Sequence, residues 1–173
     1  MTSDAFFGAH DPKALLGGPI DMAFLDGLHL FEFLLRDFMN TEKHCKKNSV
    51  IFLHDCIPHD PYIAARSAAD PVHEQSLRKE WWTGDVWKIL PALKKYRPDL
   101  SITVLDAVPT GLTVISNLDP SNTRLEEIYN SLVAEFVERD LTLFGISNLL
   151  QIAKLQSTAS LATREDIWKY YWL

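Results

Sequence analysis

The chain has 173 residues, 47% hydrophobic and 23% charged, which fits one globular domain, or one with an appendage, rather than a disordered segment. Its 23 acidic against 17 basic residues, a net charge of −6, exclude broad electrostatic binding to nucleic acid or anionic membranes. Two cysteines without C-x-x-C spacing, no signal-peptide pattern, and no apolar run near the roughly 20 residues of a membrane span predict reduced thiols in a cytoplasmic protein.

Residues 1–19 read as a loop, with room for a short helix, closed by the turn signal Gly17-Gly18-Pro19. Ile20 to Leu25 is a short apolar run ended by Asp26-Gly27, which predicts a strand buried on both faces. Leu30, Phe31, Phe33, Leu34, Leu35 and Phe38 follow at helical spacing, with Glu32, Arg36 and Asp37 between them, and predict an amphipathic helix over residues 28–39. A polar connection over residues 43–48 leads to a second apolar run, Ser49 to Leu53, ending in His54-Asp55. Strand, helix and strand at these lengths predict a parallel βαβ unit with a right-handed crossover.

Residues 56–80 are punctuated by Pro58, Pro61 and Pro71 and read as an excursion beyond the strand ends, where α/β proteins place substrate loops. Trp82-Thr83-Gly84-Asp85 opens a helix with Val86, Ile89, Leu90 and Leu93 on its apolar side, Thr83 or Asp85 as N-cap, and Pro98 as its stop. Residues 101–105 and 111–115 are β-branched runs that predict an antiparallel pair. Beyond Pro120 the pattern is helical, through Leu125, Ile128, Leu132, Phe136 and Val137, then from Leu141 to Leu155. A tail with Trp168, Tyr170, Tyr171 and Trp172 ends the chain. The reading is thus an α/β domain over residues 1–120 and a helical extension over 121–173.

Three phrases resemble one family. Asp21-Met22-Ala23-Phe24-Leu25-Asp26-Gly27-Leu28-His29 resembles the D-hydrophobic-D-G-x-H element of class I S-adenosylmethionine-dependent methyltransferases. Ser49 to Asp55 resembles the strand that follows it, and Thr83-Gly84-Asp85-Val86-Trp87-Lys88 is similar to a phrase of small-molecule and sugar methyltransferases. The resemblance covers the C-terminal half of that fold only. It implies a partial Rossmann-like sheet, strands in the order 4-5-7-6 with the last strand antiparallel. The family holds the methionine part of its cofactor on a Gly-rich turn, and the seven glycines here include no G-x-G. Ser3-Asp4-Ala5 resembles the segment lying against adenine. With Asp26 and Gly27, these residues are what the resemblance offers toward S-adenosylmethionine.

Asp26 and Asp55 end neighbouring parallel strands, where open α/β sheets bind ligands. With His54 they form a predicted metal set, in the first instance for Mg²⁺, which in metal-dependent relatives orients a substrate hydroxyl. His29 is the candidate general base, since imidazole titrates near neutral pH. The commoner role of each is structural: Asp26 and Asp55 as turn caps, His29 bonded to backbone. His59 and Asp60 read as loop-shaping, Trp81 and Trp82 as core, interface or substrate wall, and His10, His44 and His73 as solvated.

Two functions follow. One is methyl transfer to a small hydroxylated molecule or sugar, with the cofactor site completed elsewhere. The other is a catalytically inactive, truncated homologue acting as a dimeric binding or interaction protein. Strand 20–25 as an open edge, and helix 28–39 with more apolar surface than a half-sheet covers, predict a homodimer through those elements, with the C-terminal helices as alternative cover.

Overall fold

In the computed structural model, which describes residues 1–168, four strands form one mixed sheet in the order β1-β2-β4-β3. The strands are β1 (Ile20–Leu25), β2 (Cys45–His54), β3 (Ser101–Leu105) and β4 (Leu112–Ser116). β1 runs parallel to β2, with Ala23 opposite Ile51 and Leu25 opposite Leu53, while β4 is antiparallel to both β2 and β3. This is the expected 4-5-7-6 arrangement with its reversed last strand.

Two short helices precede the sheet: α1 (Ser3–Ala9), capped by the Thr2 hydroxyl, and α2 (Pro12–Leu16), capped by the Asp11 carboxylate. α2 stops at Gly17 in the left-handed conformation that glycine adopts without steric cost. The crossover helix α3 (Phe31–Glu42) begins three residues later than its apolar pattern predicts, because residues 27–30 are taken up in a turn. β2 in turn begins at Cys45, inside the expected polar connection. Phe31, Leu34, Leu35, Phe38 and Met39 form the buried face of α3 against Ile51, Leu53 and Ile115.

The helix predicted from residue 82 starts later. A single tight turn, Val86–Lys88, leads into α4 (Ile89–Tyr96). Neither Thr83 nor Asp85 caps it; Asp85 instead accepts the Phe31 N–H at 2.8 Å and so caps α3. Beyond the sheet come α5 (Arg124–Glu127), α6 (Tyr129–Phe136), α7 (Leu141–Phe144), α8 (Ile146–Ala153) and α9 (Arg164–Trp168). Leu125, Leu132, Phe136, Leu141, Leu149 and Ala153 are buried in the same core as α3 and α4. Phe136 meets Phe31 ring to ring at 5.8 Å. The apolar surplus expected on the helix after β1 is therefore taken up within the chain.

Alternate residues point to opposite faces of the sheet. The face away from α3 carries Val50, Phe52, Leu105, Leu112 and Val114, against which Leu161 and Ile167 pack among the described residues. The two sheet edges also differ. Beside β3, Gln156 exchanges backbone bonds with Val104 and Asp106, whereas β1 has no neighbour on its outer side among the described residues. β1 is accordingly not buried on both faces as its composition predicts: Met22 is 69% exposed and Phe24 58%. Tyr170, Tyr171 and Trp172 of the aromatic tail lie outside the described residues. No helix among the described residues is long and apolar enough to cross a membrane.

Candidate functional site

β1 and β2 run parallel, so Asp26 and Asp55, each just past a strand end, emerge side by side. Between them stands His29. Its Nε2 lies 3.2 Å from Asp26 Oδ1 and 3.1 Å from Asp55 Oδ2, and its Nδ1 lies 3.0 Å from the Trp82 carbonyl oxygen. A carbonyl only accepts, so Nδ1 carries the hydrogen and Nε2 faces the carboxylates. His54 Nδ1 lies 3.2 Å from Asp55 Oδ2 and 3.7 Å from Asp26 Oδ1 without a hydrogen-bond partner, although that atom is buried.

The backbone is bent to allow this. His29 and Asp55 both adopt positive φ, 57° and 61°, a region that costs a non-glycine residue free energy and recurs at functional sites. Each bend is held from outside. The Trp82–Asp85 segment supports the His29 turn: the Trp82 carbonyl takes the imidazole N–H, and the Asp85 N–H donates to the His29 carbonyl at 3.1 Å. Thr83 is anchored to the Ile63 carbonyl, and Trp82 Nε1 donates to Ala65. Asp55 is held by Thr110, whose hydroxyl donates to Oδ1 from the β3–β4 loop, leaving Oδ2 for the two imidazoles.

Leu25, Asp26, Gly27, Leu28, His29 and His54 line a small pocket at this strand end, floored by Leu34, Asp37 and Val86. A Cβ on Gly27 would stand 3.3 Å from Asp37 Oδ2, so the glycine lets that carboxylate tuck beneath the turn. Burial pushes the Asp37 carboxyl above its ordinary value, against a bond from Ser3 that favours its charge.

The remaining sequence candidates divide. Ser3, Asp4 and Ala5 lie on α1, where Asp4 is closed on Arg36 by bonds of 2.8–3.1 Å. Asp60 shapes its loop, accepting from Tyr62 N, Ile63 N and Ser76 Oγ, and the His59 ring packs on Trp81. His73, expected in solvent, is buried and bonded to the Ser67 carbonyl. Trp82 tilts over the His29 ring at 5.0 Å. Both cysteines are free, and burial pushes their thiols up, Cys45 to about 11 and Cys56 to about 12, which removes them as nucleophiles. Sequence reading missed Thr110; the turn residues Pro109 and Gly111 on either side were its only signal.

A family model described as "Methyltransferase domain" matches residues 2–56, the segment holding α1, α2, β1, α3, β2 and the four residues Asp26, His29, His54 and Asp55. No curated protein and no solved structure gives a significant match. Residues 2–56 are thus similar to a methyltransferase domain, and the four-stranded mixed sheet they lead into is consistent with part of a Rossmann-like methyltransferase fold.

Proposed function

We propose that the protein acts in S-adenosylmethionine-dependent methyl transfer to a hydroxyl of a small molecule or sugar, with the Asp26–His29–Asp55 cluster as the acceptor end of the site. The observation that carries this reading is the convergence of two carboxylates and an oriented imidazole at parallel strand ends, within the segment that matches a methyltransferase domain. Methyl transfer needs no covalent enzyme intermediate; it needs alignment and a place for the acceptor's proton. With Nδ1–H fixed on the Trp82 carbonyl, His29 Nε2 is the atom that receives a hydroxyl proton, and Asp26 and Asp55 hold the resulting imidazolium.

The residues toward the methyl donor fit less well. Asp4 is closed on Arg36 and Ser3 is bonded to Asp37, so this edge does not by itself hold S-adenosylmethionine. A donor pocket needs further polypeptide, from a second copy or another segment. Asp4's engagement and the open edge of β1 favour a second reading, a catalytically inactive homologue that serves as a dimeric binding protein. Calorimetric titration with S-adenosylmethionine, paired with transfer of labelled methyl to hydroxylated acceptors, separates the two. Saturable heat and labelled product support methyl transfer; no heat at millimolar donor leaves the second reading.

A further inference from the structure

A cleft of about 470 Å³ opens between the 56–80 excursion and the α6–α7 connection, and it shares no lining residue with the pocket at the strand ends. That volume falls within the roughly 300–1,000 Å³ of small-molecule sites. Its floor is a charged network that folding has already fixed. Asp85 and Lys88 are both buried, and Lys88 Nζ donates to Asp85 Oδ2 at 2.7 Å and to the Val137 carbonyl at 2.6 Å. An ammonium has three hydrogens, so one N–H of Lys88 has no partner among the described residues. On one wall Arg66 bonds Glu32 at 2.7 and 3.1 Å and also Asp85, which engages three of its five N–H groups. On the other wall Arg139 donates only to Glu135 among the described residues, through Nε and Nη2, and its Nη1 is left over. Acceptors are left over as well. Asp70 and Asp140 each spend one carboxylate oxygen on a backbone N–H, of Val72 and Thr142, and Glu138 adds a further carboxylate to the lining.

We propose that this cleft binds a neutral polyhydroxylated ligand, a sugar of about one hexose unit. The lining charges decide the class. Arg66, Lys88 and Arg139 are set against Asp70, Asp85, Glu138 and Asp140, so the two signs nearly balance. An anion drawn to the cations meets the carboxylates, and a cation drawn to the carboxylates meets the ammonium and guanidinium groups. A hydroxyl both donates and accepts, so one hydroxylated ring serves the spare donors and the spare acceptors together. Hydrogen bonds to ionised groups are also the stronger kind. Tyr62 and Thr142 contribute two more hydroxyls to the lining. Lys88 is tied from the floor to the Val137 wall and Arg66 is held by two carboxylates, so little side-chain ordering opposes binding.

The cleft shares no residue with the Asp26–His29–Asp55 cluster, so its occupancy is measured without methyl transfer. The full ¹⁵N-labelled chain is titrated with D-glucose, D-galactose and D-mannose, and with the amino-sugar and uronic-acid forms of each, by calorimetry and amide spectra. At least one neutral hexose is expected to bind saturably, with its amide shifts centred on residues 61–72, 85–88 and 137–142. It is expected to bind at least about tenfold tighter than its two charged forms, each of which sets like charges together. Glu138→Ala and Arg139→Ala lie at the rim; each is expected to keep the parent's thermal unfolding and to weaken binding at least about tenfold. No saturable binding by any of the three hexoses, tighter binding of a charged form, shifts centred on residues 25–29 and 54–55, or undiminished binding by either folded variant each overturns the proposal.

Discussion

Gly84 lies directly against the backbone of His29: a Cβ built on it would meet the His29 carbonyl oxygen at 1.9 Å, and its own φ is +58°. The contact explains why a glycine sits in the Thr83-Gly84-Asp85 phrase far along the chain from the histidine it supports. Gly84→Ala has nowhere to place its methyl without moving the His29 turn, and it adds about 1–2 kcal/mol of left-handed strain before any clash is counted. The expected result is a loss of at least about 2 kcal/mol in urea unfolding, placing it among the larger point-mutant effects. A variant as stable as the parent would show that the turn yields freely.

Thr110 and Asp55 offer a cleaner test of site geometry, because Thr→Val removes the hydroxyl and little else. The hydroxyl bonds a buried carboxylate oxygen, and hydrogen bonds to charged groups contribute about 1.5–3 kcal/mol. Thr110→Val is expected to lose about that much stability, while Thr110→Ser keeps most of it. Urea denaturation of the three proteins, read side by side, decides; equal losses for Ser and Val would mean the methyl matters and the hydroxyl does not.

How much of this could be read from the residues differs by element. The apolar runs 20–25 and 49–53, each closed by turn or acidic residues, gave away two neighbouring parallel strands, and so placed Asp26 and Asp55 together. The start of α3 was not legible, since a helical pattern beginning at Leu28 carries no sign that His29 will be bent to φ 57° by partners at Trp82 and Asp85. Asp85 was misread for the same reason: an acidic residue before a helix resembles its cap, and only tertiary packing assigns it to a different helix. Thr110 reaches Asp55 through a loop between strands that pair with each other, a contact with no periodicity behind it. Local patterns encode strands and faces; long-range hydrogen bonds decide which side chains complete a site.

Asp37 predicts a pH effect. Burial raises its carboxyl above the ordinary value, so the folded state binds the proton more tightly than the unfolded chain does. By linkage, that contribution to stability is fully present below the unfolded value of 3.8 and is lost as pH rises through the higher folded value. Asp37→Asn lacks the titration and, through its amide oxygen, can still accept from Ser3. The variant is expected to unfold at higher temperature than the parent at pH 7, with the gap narrowing toward pH 3. A gap that is constant across this range would remove burial of the charge as the cause.

The ion pair between Glu42 and Arg97 closes the far end of the core. The guanidinium makes bonds of 2.7 and 2.9 Å to Glu42 from the end of α3 and further bonds to Asp99, with Arg97 and Glu42 both buried. Glu42 Oε1 also accepts the Asp119 N–H, so one carboxylate ties α3, the end of α4 and the start of the C-terminal segment together. Arg97→Met strands the buried Glu42 carboxylate, at a typical cost of about 3–5 kcal/mol, whereas Glu42→Leu leaves the guanidinium its Asp99 bonds and is expected to cost less. The double variant is expected to cost clearly less than the sum of the two, because the Glu42 charge is then no longer left alone. Additive losses in a double-mutant cycle by urea unfolding would mean the two side chains act separately.

The open edge of β1 carries the remaining prediction. Gln156 closes the opposite edge at β3, while among the described residues no strand pairs with the outer side of β1, where Met22 and Phe24 are exposed. Strand edges of this kind pair with other chains unless charge or proline blunts them. We propose that two copies pair here through β1 about a two-fold axis; α3 takes no part, since its apolar side is spent on the core. Light scattering after size exclusion is expected to give twice the mass of a 173-residue chain. Phe24→Lys is expected to return the monomer, by setting like charges near each other across the seam, with the α3 core unaffected. A parent protein that runs as a monomer at high micromolar concentration would remove β1 as a self-pairing edge.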